Sequence, residues 1–218
     1  MPKAEIEEPP EEIEEKPVRK RIDNTSTRAD EAAAMRLSSA LESVEGETNE
    51  KVGPSSFIAH KLLGTGSFGE VYLVEKVTTG KLYAMKVLSK SKIMGHNLTR
   101  YAMTERNVLS ITSHPFIVKL SFAFQTQEKL YLILEYCPGG DLSEYLHVEK
   151  RFTEDKARLY MAEVLLAIED LHHRDIIFRD LKPDNVVLDE DGHALLTDFG
   201  LSKEGVLDNS WGAQSFCG

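Results

Sequence analysis

The stretch Asp180-Leu181-Lys182-Pro183-Asp184-Asn185, followed thirteen residues after the asparagine by Asp198-Phe199-Gly200, constrains this chain more than any other feature. It sets a carboxylate, a cation, an amide and a second carboxylate at fixed spacing around two short hydrophobic strands. The strands are expected at Asn185–Leu188 and Ala194–Thr197, as a pair. Phosphoryl transfer from ATP needs such a set. One acid aligns the attacking hydroxyl, a lysine meets the γ-phosphate, and an amide and an acid hold a metal ion.

Upstream, Gly64-Thr65-Gly66-Ser67-Phe68-Gly69-Glu70-Val71 is a G-x-G-x-x-G-x-V sequence. Alone it is weak, because dinucleotide folds and ordinary turns also contain it. A dinucleotide loop, however, runs from a strand into a helix, and a Walker-type loop ends in Gly-Lys-Ser/Thr. Here strand-like residues flank both sides and the Gly-Lys-Ser/Thr ending is absent, which suits a hairpin whose backbone amides cover phosphates. The missing Cβ atoms let that backbone come close to a ligand. Fifteen residues after Val71, Lys86 sits in Tyr83-Ala84-Met85-Lys86-Val87, on a strand expected to be interior. A charge there is costly unless paired. Glu105 on the following helix is the natural partner, and phosphate oxygens are the natural ligand.

The wider chain supports a mostly β small lobe, a hinge, and the start of a helical lobe. Strands are expected at Phe57–Leu63, Glu70–Val77, Leu82–Leu88, Phe116–Phe124 and Leu130–Tyr136, with a hairpin turn at Thr78–Lys81. Helices are expected at Asn97–Leu109, Asp141–Leu146 and Glu154–His172. The last should carry Leu159, Val164, Leu165, Ile168 and Leu171 on its apolar side. Residues 1–54 read as an acidic tail. Residues 1–50 hold 14 Asp and Glu against 7 Lys and Arg, and account for most of the net charge of −10. Residues 1–23 have too few large apolar side chains to offset ordering entropy. Within the tail, Ala34, Leu37, Leu41 and Val44 recur at helical spacing over 30–45. That is either a marginal helix or linker, or a docking or autoinhibitory segment. The remaining residues are near charge balance, which gives no sign of a nucleic-acid surface. Cys137 and Cys217 are the only cysteines, with no C-x-x-C spacing, which argues against a disulfide framework or structural zinc. No apolar run approaches 18 residues, so no membrane segment and a cytoplasmic location are expected.

Six motifs in order then carry a family resemblance. They are Gly64–Val71, Ala84-Met85-Lys86, Thr104–Leu109, Leu134–Leu142, Phe178–Asn185 with Asp198–Gly200, and Ser215-Phe216-Cys217-Gly218. From about Phe57 to Gly218 the chain resembles a eukaryotic protein kinase of the AGC serine/threonine type, similar to the cAMP-dependent, Akt-type and ribosomal-protein kinases. The resemblance implies an α+β, kinase-like fold over 55–218: a five-stranded small lobe with one major helix (55–136), a hinge (135–140), and the beginning of a mainly helical large lobe (141–218). It implies ATP and Mg²⁺ as cofactors, protein substrates with Ser/Thr hydroxyls near basic residues, and an upstream kinase.

On that resemblance Asp180 is the catalytic aspartate, Lys182 neutralises the transferring phosphate, and Lys86, paired with Glu105, meets the α/β-phosphates. Asn185 and Asp198 hold Mg²⁺. The nucleotide is met by Leu63, Gly64, Gly66, Ser67, Phe68, Gly69, Val71, Ala84, Leu134, Val187 and Thr197, by the backbone of Glu135 and Cys137, and by Asp141 at the ribose. Leu134 is the gatekeeper, and Leu109, Leu120, Phe178 and Phe199 form an internal spine. Asp141 and Asp184 match acids that meet substrate arginines. Ser215 is the activation-loop phosphosite, with Arg179 and Lys203 as its cationic partners; Tyr101 stands where this group usually has a phosphate-binding histidine. His173-Arg174-Asp175 imitates the catalytic H-R-D, but the required asparagine follows Asp180 at +5, not Asp175. His172 and His173 read as a helix-end pair. Gly218 stands only twenty residues after Asp198. The chain is therefore expected to be part of a longer kinase with little activity alone; the alternative is a nucleotide-binding or regulatory fragment without catalysis.

Overall fold

A computed structural model of the chain describes residues 52–66, 69–95 and 99–204. The expected helix at 30–45, nearly all of the tail, and Ser67, Phe68 and Ser215 lie outside the described residues.

The first unit is a five-stranded antiparallel sheet in the order β1-β2-β3-β5-β4, built from β1 (Phe57–Gly66), β2 (Gly69–Lys76), β3 (Leu82–Ser89), β4 (Leu120–Gln125) and β5 (Lys129–Glu135). Period-two alternation on β3 explains its central place. Tyr83, Met85 and Val87 face one side with Phe57, Val74 and Ile133. Ala84 and Leu88 face the main core with Leu132 and Leu134. Rings dress the first side: Phe57 stacks on Phe124 at 6.1 Å and meets Tyr83 edge-on at 6.2 Å. The β2–β3 turn closes through Gly80, whose φ of 67° favours a residue without Cβ.

Two helices follow β3: α1 (Lys90–Gly95), which was not expected, and α2 (Thr99–Ile111). α2 packs on β4 and on a 3₁₀ turn at Phe199–Leu201. The expected strand at 116–124 begins only at Leu120. The preceding backbone is drawn away to a different partner: Ile117 bridges Leu196, with Leu196 N–H donating to the Phe116 carbonyl and Val118 N–H to the Leu196 carbonyl.

Beyond the hinge come β6 (Gly140–Asp141), α3 (Leu142–Glu149), α4 (Glu154–His173), β7 (Val186–Leu188) and β8 (Ala194–Leu196). The expected pair of short strands is a three-stranded sheet, β6-β7-β8, because the hinge end adds a strand to it. α4 has capping signals at both ends. The Thr153 hydroxyl accepts from the Lys156 amide, Glu154 and Asp155 occupy the first turn, and His172 and His173 the last. Its buried side is Tyr160, Glu163, Val164, Ala167 and Leu171. Leu159 and Leu165, expected on the apolar side, are instead 50% and 59% exposed. Apolar residues surround this helix, so periodicity did not single out the face that packs. No described helix is long and apolar enough to cross a membrane. The layout is α+β, as the sequence indicated.

Candidate active site

The site forms where the two units meet. Lys86 stands on the inner side of β3, in register with Val71 on β2 and Leu132 on β5. Its ammonium donates to both Glu105 oxygens at 2.7 and 2.8 Å, and to Asp198 Oδ1 at 3.1 Å. Burial pulls the Lys86 pKa down, but the Glu105 carboxylate and Asp198 outweigh it, and the net shift is upward. Burial also pushes the Glu105 carboxyl up, against the pull of Lys86. Asp198 is 53% exposed and has left-handed backbone, φ 61° and ψ 69°. A non-glycine residue held there costs about 1–3 kcal/mol and persists only where its surroundings enforce it.

The loop before β7 gathers the second group. The Asn185 Nδ2 donates to the Asp180 carbonyl and to Asp180 Oδ2, each at 2.8 Å. Lys182 Nζ lies 3.0 Å from the same Oδ2. The Thr197 amide donates to the Asn185 carbonyl at 3.0 Å, tying this loop to the one that bears Asp198. Both Asn185 N–H groups bond Asp180, so Oδ1 is the atom of this buried amide left for another partner. Asp198 likewise keeps Oδ2 beyond its bond to Lys86. An amide oxygen and a carboxylate oxygen are hard ligands, and this donor set fits Mg²⁺.

Along the hinge, Leu134 is buried between its register partners Ala84 and Leu120. Ala84, Cys137 and Val187 are half-buried against the main core, whereas Leu63 is 39% exposed on edge strand β1. The Glu135 amide donates to the Lys119 carbonyl at 2.9 Å. Burial, helped by Glu135 and Asp189, pushes the Cys137 thiol up to about 12, so it stays protonated and unreactive at neutral pH. Leu109, Leu120, Phe178 and Phe199 are all buried in one core, where Phe178 and Phe199 meet edge-on at 5.1 Å.

The three loop glycines differ. A Cβ on Gly64 would meet nothing within 4 Å, and one on Gly66 only the Gly69 carbonyl at 4.0 Å. That open space suits the close approach of a ligand. A Cβ on Gly69 would lie 1.9 Å from the Val87 carbonyl oxygen, so Gly69 is needed to let β2 pass β3. Gly69→Ala should therefore destabilise the protein by about 1–3 kcal/mol, read as a lower urea midpoint, while Gly64→Ala leaves the midpoint unchanged.

Asp141 has a role that sequence reasoning missed. It caps α3, its Oδ1 accepting from the Glu144 amide at 2.9 Å, which leaves one oxygen for other use. An aspartate directly before an apolar helical run was the available signal. Asp184 is exposed. The Arg179 side chain donates to the carbonyls of Leu201, at 2.6 Å, and Ser202, at 3.3 Å. The Lys203 backbone pairs with Ile177. The imitation H-R-D is structural: Arg174 binds Asp170 at 2.8 Å and the Ile111 carbonyl at 2.9 Å, joining the ends of α4 and α2.

Comparison with known proteins agrees with this geometry. The protein kinase domain model matches residues 57–218. The RAC family serine/threonine-protein kinase homolog of Dictyostelium discoideum is 50% identical over 170 residues, covering 78% of this chain and 38% of that protein. The mouse and human ribosomal protein S6 kinase alpha-1 are each 53% identical over 173 residues, covering 78% of this chain and 24% and 23% of those proteins. The chain thus spans well under half the length of these relatives. With six motifs, a matching sheet and a convergent set of Lys86, Glu105, Asp180, Asn185 and Asp198, the chain belongs to the protein kinase family, in its AGC-type serine/threonine branch.

Proposed function

We propose that this protein transfers the γ-phosphate of ATP to Ser/Thr hydroxyls of protein substrates. One observation carries the reading: Lys86, Glu105, Asp198, Asn185 and Asp180, drawn from β3, α2 and two loops, are joined by hydrogen bonds into two linked clusters that leave Asn185 Oδ1 and Asp198 Oδ2 for a ligand. Mg²⁺, when bound by Asn185 and Asp198, supplies positive charge against the phosphates. Lys86 meets the α/β-phosphates, held in place by Glu105. Asp180 orients the substrate hydroxyl and takes its proton at the carboxylate, while Lys182 beside it faces the transferring group. Ala84, Leu134 and Val187 enclose the adenine, and the Glu135 carbonyl and Cys137 amide bond its edge. Positioning and electrostatics account for most of the rate.

Asp141 and Asp184 give the substrate cleft an acidic lining, and desolvated Arg–carboxylate pairs are strong. The substrate is therefore a Ser/Thr segment preceded by arginines. Phosphate on Ser215 would add about −1.5 to −2 charges, to be met by Arg179 and Lys203. A cytoplasmic setting fits this reading.

The test pairs two peptides with labelled ATP, one with arginines before the serine and one with alanines there. Phosphoserine forms on both, with kcat/KM about tenfold or more higher for the arginine peptide, as expected for one charge-assisted pair of about 1.5–3 kcal/mol. Phosphate on tyrosine in place of serine, or no transfer at all, overturns the reading.

A further inference from the structure

Glu163 is a carboxylate in the otherwise apolar buried side of α4. It lies among Tyr160, Val164, Ala167 and Leu171, and its side chain is 5% exposed. A charge in that place is costly unless paired and hydrogen-bonded. Both its oxygens are satisfied by one short stretch. Oε2 accepts from the Ala194 amide at 2.7 Å, and Oε1 lies 2.6 Å from His193 Nδ1. Asp189 holds the same stretch from within its loop, its Oδ1 accepting from the amides of Asp191 at 3.0 Å and His193 at 2.8 Å.

That stretch runs straight into the metal-binding loop. Ala194 opens β8, whose three residues are all buried and lead directly to Thr197 and Asp198. The far end of β8 is fixed by Leu196 bonding to Phe116 and by Thr197 bonding to Asn185. Glu163 fixes the near end. A buried strand of this kind moves as a unit, since close packing transmits displacement instead of absorbing it. The groups facing His193 are Glu163 from α4, Asp189 and Asp191 from its own loop, and the Phe116 ring at 6.1 Å from the segment before β4. His114 lies beyond that ring, 5.7 Å from it.

We propose that Glu163 and His193 are a positioning pair for Asp198: the protonated imidazole locks the Glu163 carboxylate, the carboxylate locks the start of β8, and the strand sets the Asp198 carboxylate. This rests on the reading of Asp198 as a metal ligand. The hydrogen bond to Glu163, followed by its charge, holds the His193 pKa above the ordinary imidazole value. The pair is therefore fully charged below that ordinary value, and is lost as pH rises through the raised folded value. Coupling between sites is reciprocal. If His193 protonation favours the Asp198 geometry, Mg²⁺-ADP must in turn favour His193 protonation.

The decisive experiment titrates the His193 ring by NMR in the 218-residue chain, with and without saturating Mg²⁺-ADP, and repeats the titration in Glu163→Gln. The ring is expected to titrate above the ordinary value, to move further up with Mg²⁺-ADP, and to fall back in Glu163→Gln, which keeps an acceptor for the Ala194 amide but loses the charge. Calorimetry should find Mg²⁺-ADP bound about fivefold tighter at pH 6 than at pH 8 after division by the same ratio for His193→Gln, a comparison in which the nucleotide's own titration cancels. Nucleotide binding that leaves the His193 titration unmoved overturns this proposal alone. Absence of any Mg²⁺-ADP binding overturns the metal-site reading, and this proposal with it. The wild-type titration decides the matter even if a variant fails to fold.

Discussion

Asp180→Asn lowers phosphoryl transfer by about 10²–10⁴-fold and leaves Mg²⁺-ATP affinity unchanged. The asymmetry follows from where Asp180 sits. Its Oδ2 accepts from Asn185 and lies beside Lys182, while Lys86, Glu105 and Asp198 hold one another independently. Asparagine keeps the shape and an acceptor for the Asn185 amide, but cannot take a proton from a hydroxyl. The measurement is the initial rate of labelled phosphate transfer to an arginine-containing peptide, with ATP affinity read separately by calorimetry. A variant with retained transfer would show that another group is the catalytic aspartate. Asp175, which imitates the H-R-D motif but lacks the asparagine at +5, adjoins an arginine committed to Asp170 and the Ile111 carbonyl.

Glu105→Ala has the largest expected effect on stability. Lys86 is then left with Asp198, an exposed partner at a longer distance. Breaking a buried pair while one charge remains costs about 3–5 kcal/mol. Urea unfolding should show this as a lower midpoint with an unchanged slope. Adding Lys86→Met to Glu105→Ala should recover part of the loss, because the stranded charge is gone; simple additivity of the two would contradict the coupling. The pH dependence has a definite sign. The folded Lys86 pKa is raised, so the lysine's contribution is fully present below its ordinary value and is lost only as pH rises through the folded value, while at the acid end the pair is lost as Glu105, whose carboxyl burial pushes up, takes a proton. Stability across the neutral range is insensitive to the lysine.

Much of the fold could be read from the chain because local and tertiary preferences agree there. The alternation along β3, the glycine at the β2–β3 turn and the caps of α4 all act within a few residues of themselves. Lys86 and Glu105 could be paired in advance because an inward strand lysine needs a buried anion. Features that escaped the sequence depend on distant partners. Phe116–Val118 has the composition of a strand, but its backbone serves β8, about eighty residues later. The packed face of α4 could not be chosen from periodicity, since Leu159 and Leu165 are as apolar as Val164 and Leu171. Glu163 was the unused clue. An acid three residues after Tyr160 and four before Ala167 marks a buried polar anchor, and only the fold shows that Ala194 and His193 are its partners. Gly69, expected to serve a ligand, also makes room for the backbone of β3, which spacing alone does not reveal.

The central claim is that Lys86, Asn185 and Asp198 form one Mg²⁺-nucleotide site. Calorimetric titration of ATP into the protein, with Mg²⁺ and then with Mg²⁺ removed by a chelator, tests it most directly. ATP is expected to bind with Mg²⁺ present, to lose about tenfold or more in affinity when Mg²⁺ is removed, and to lose a similar factor of its Mg²⁺-containing affinity in Asp198→Asn, consistent with charge-assisted contacts of about 1.5–3 kcal/mol. Equal ATP affinity with and without Mg²⁺, or an Asp198→Asn variant that binds Mg²⁺-ATP as tightly as the wild type, would contradict it.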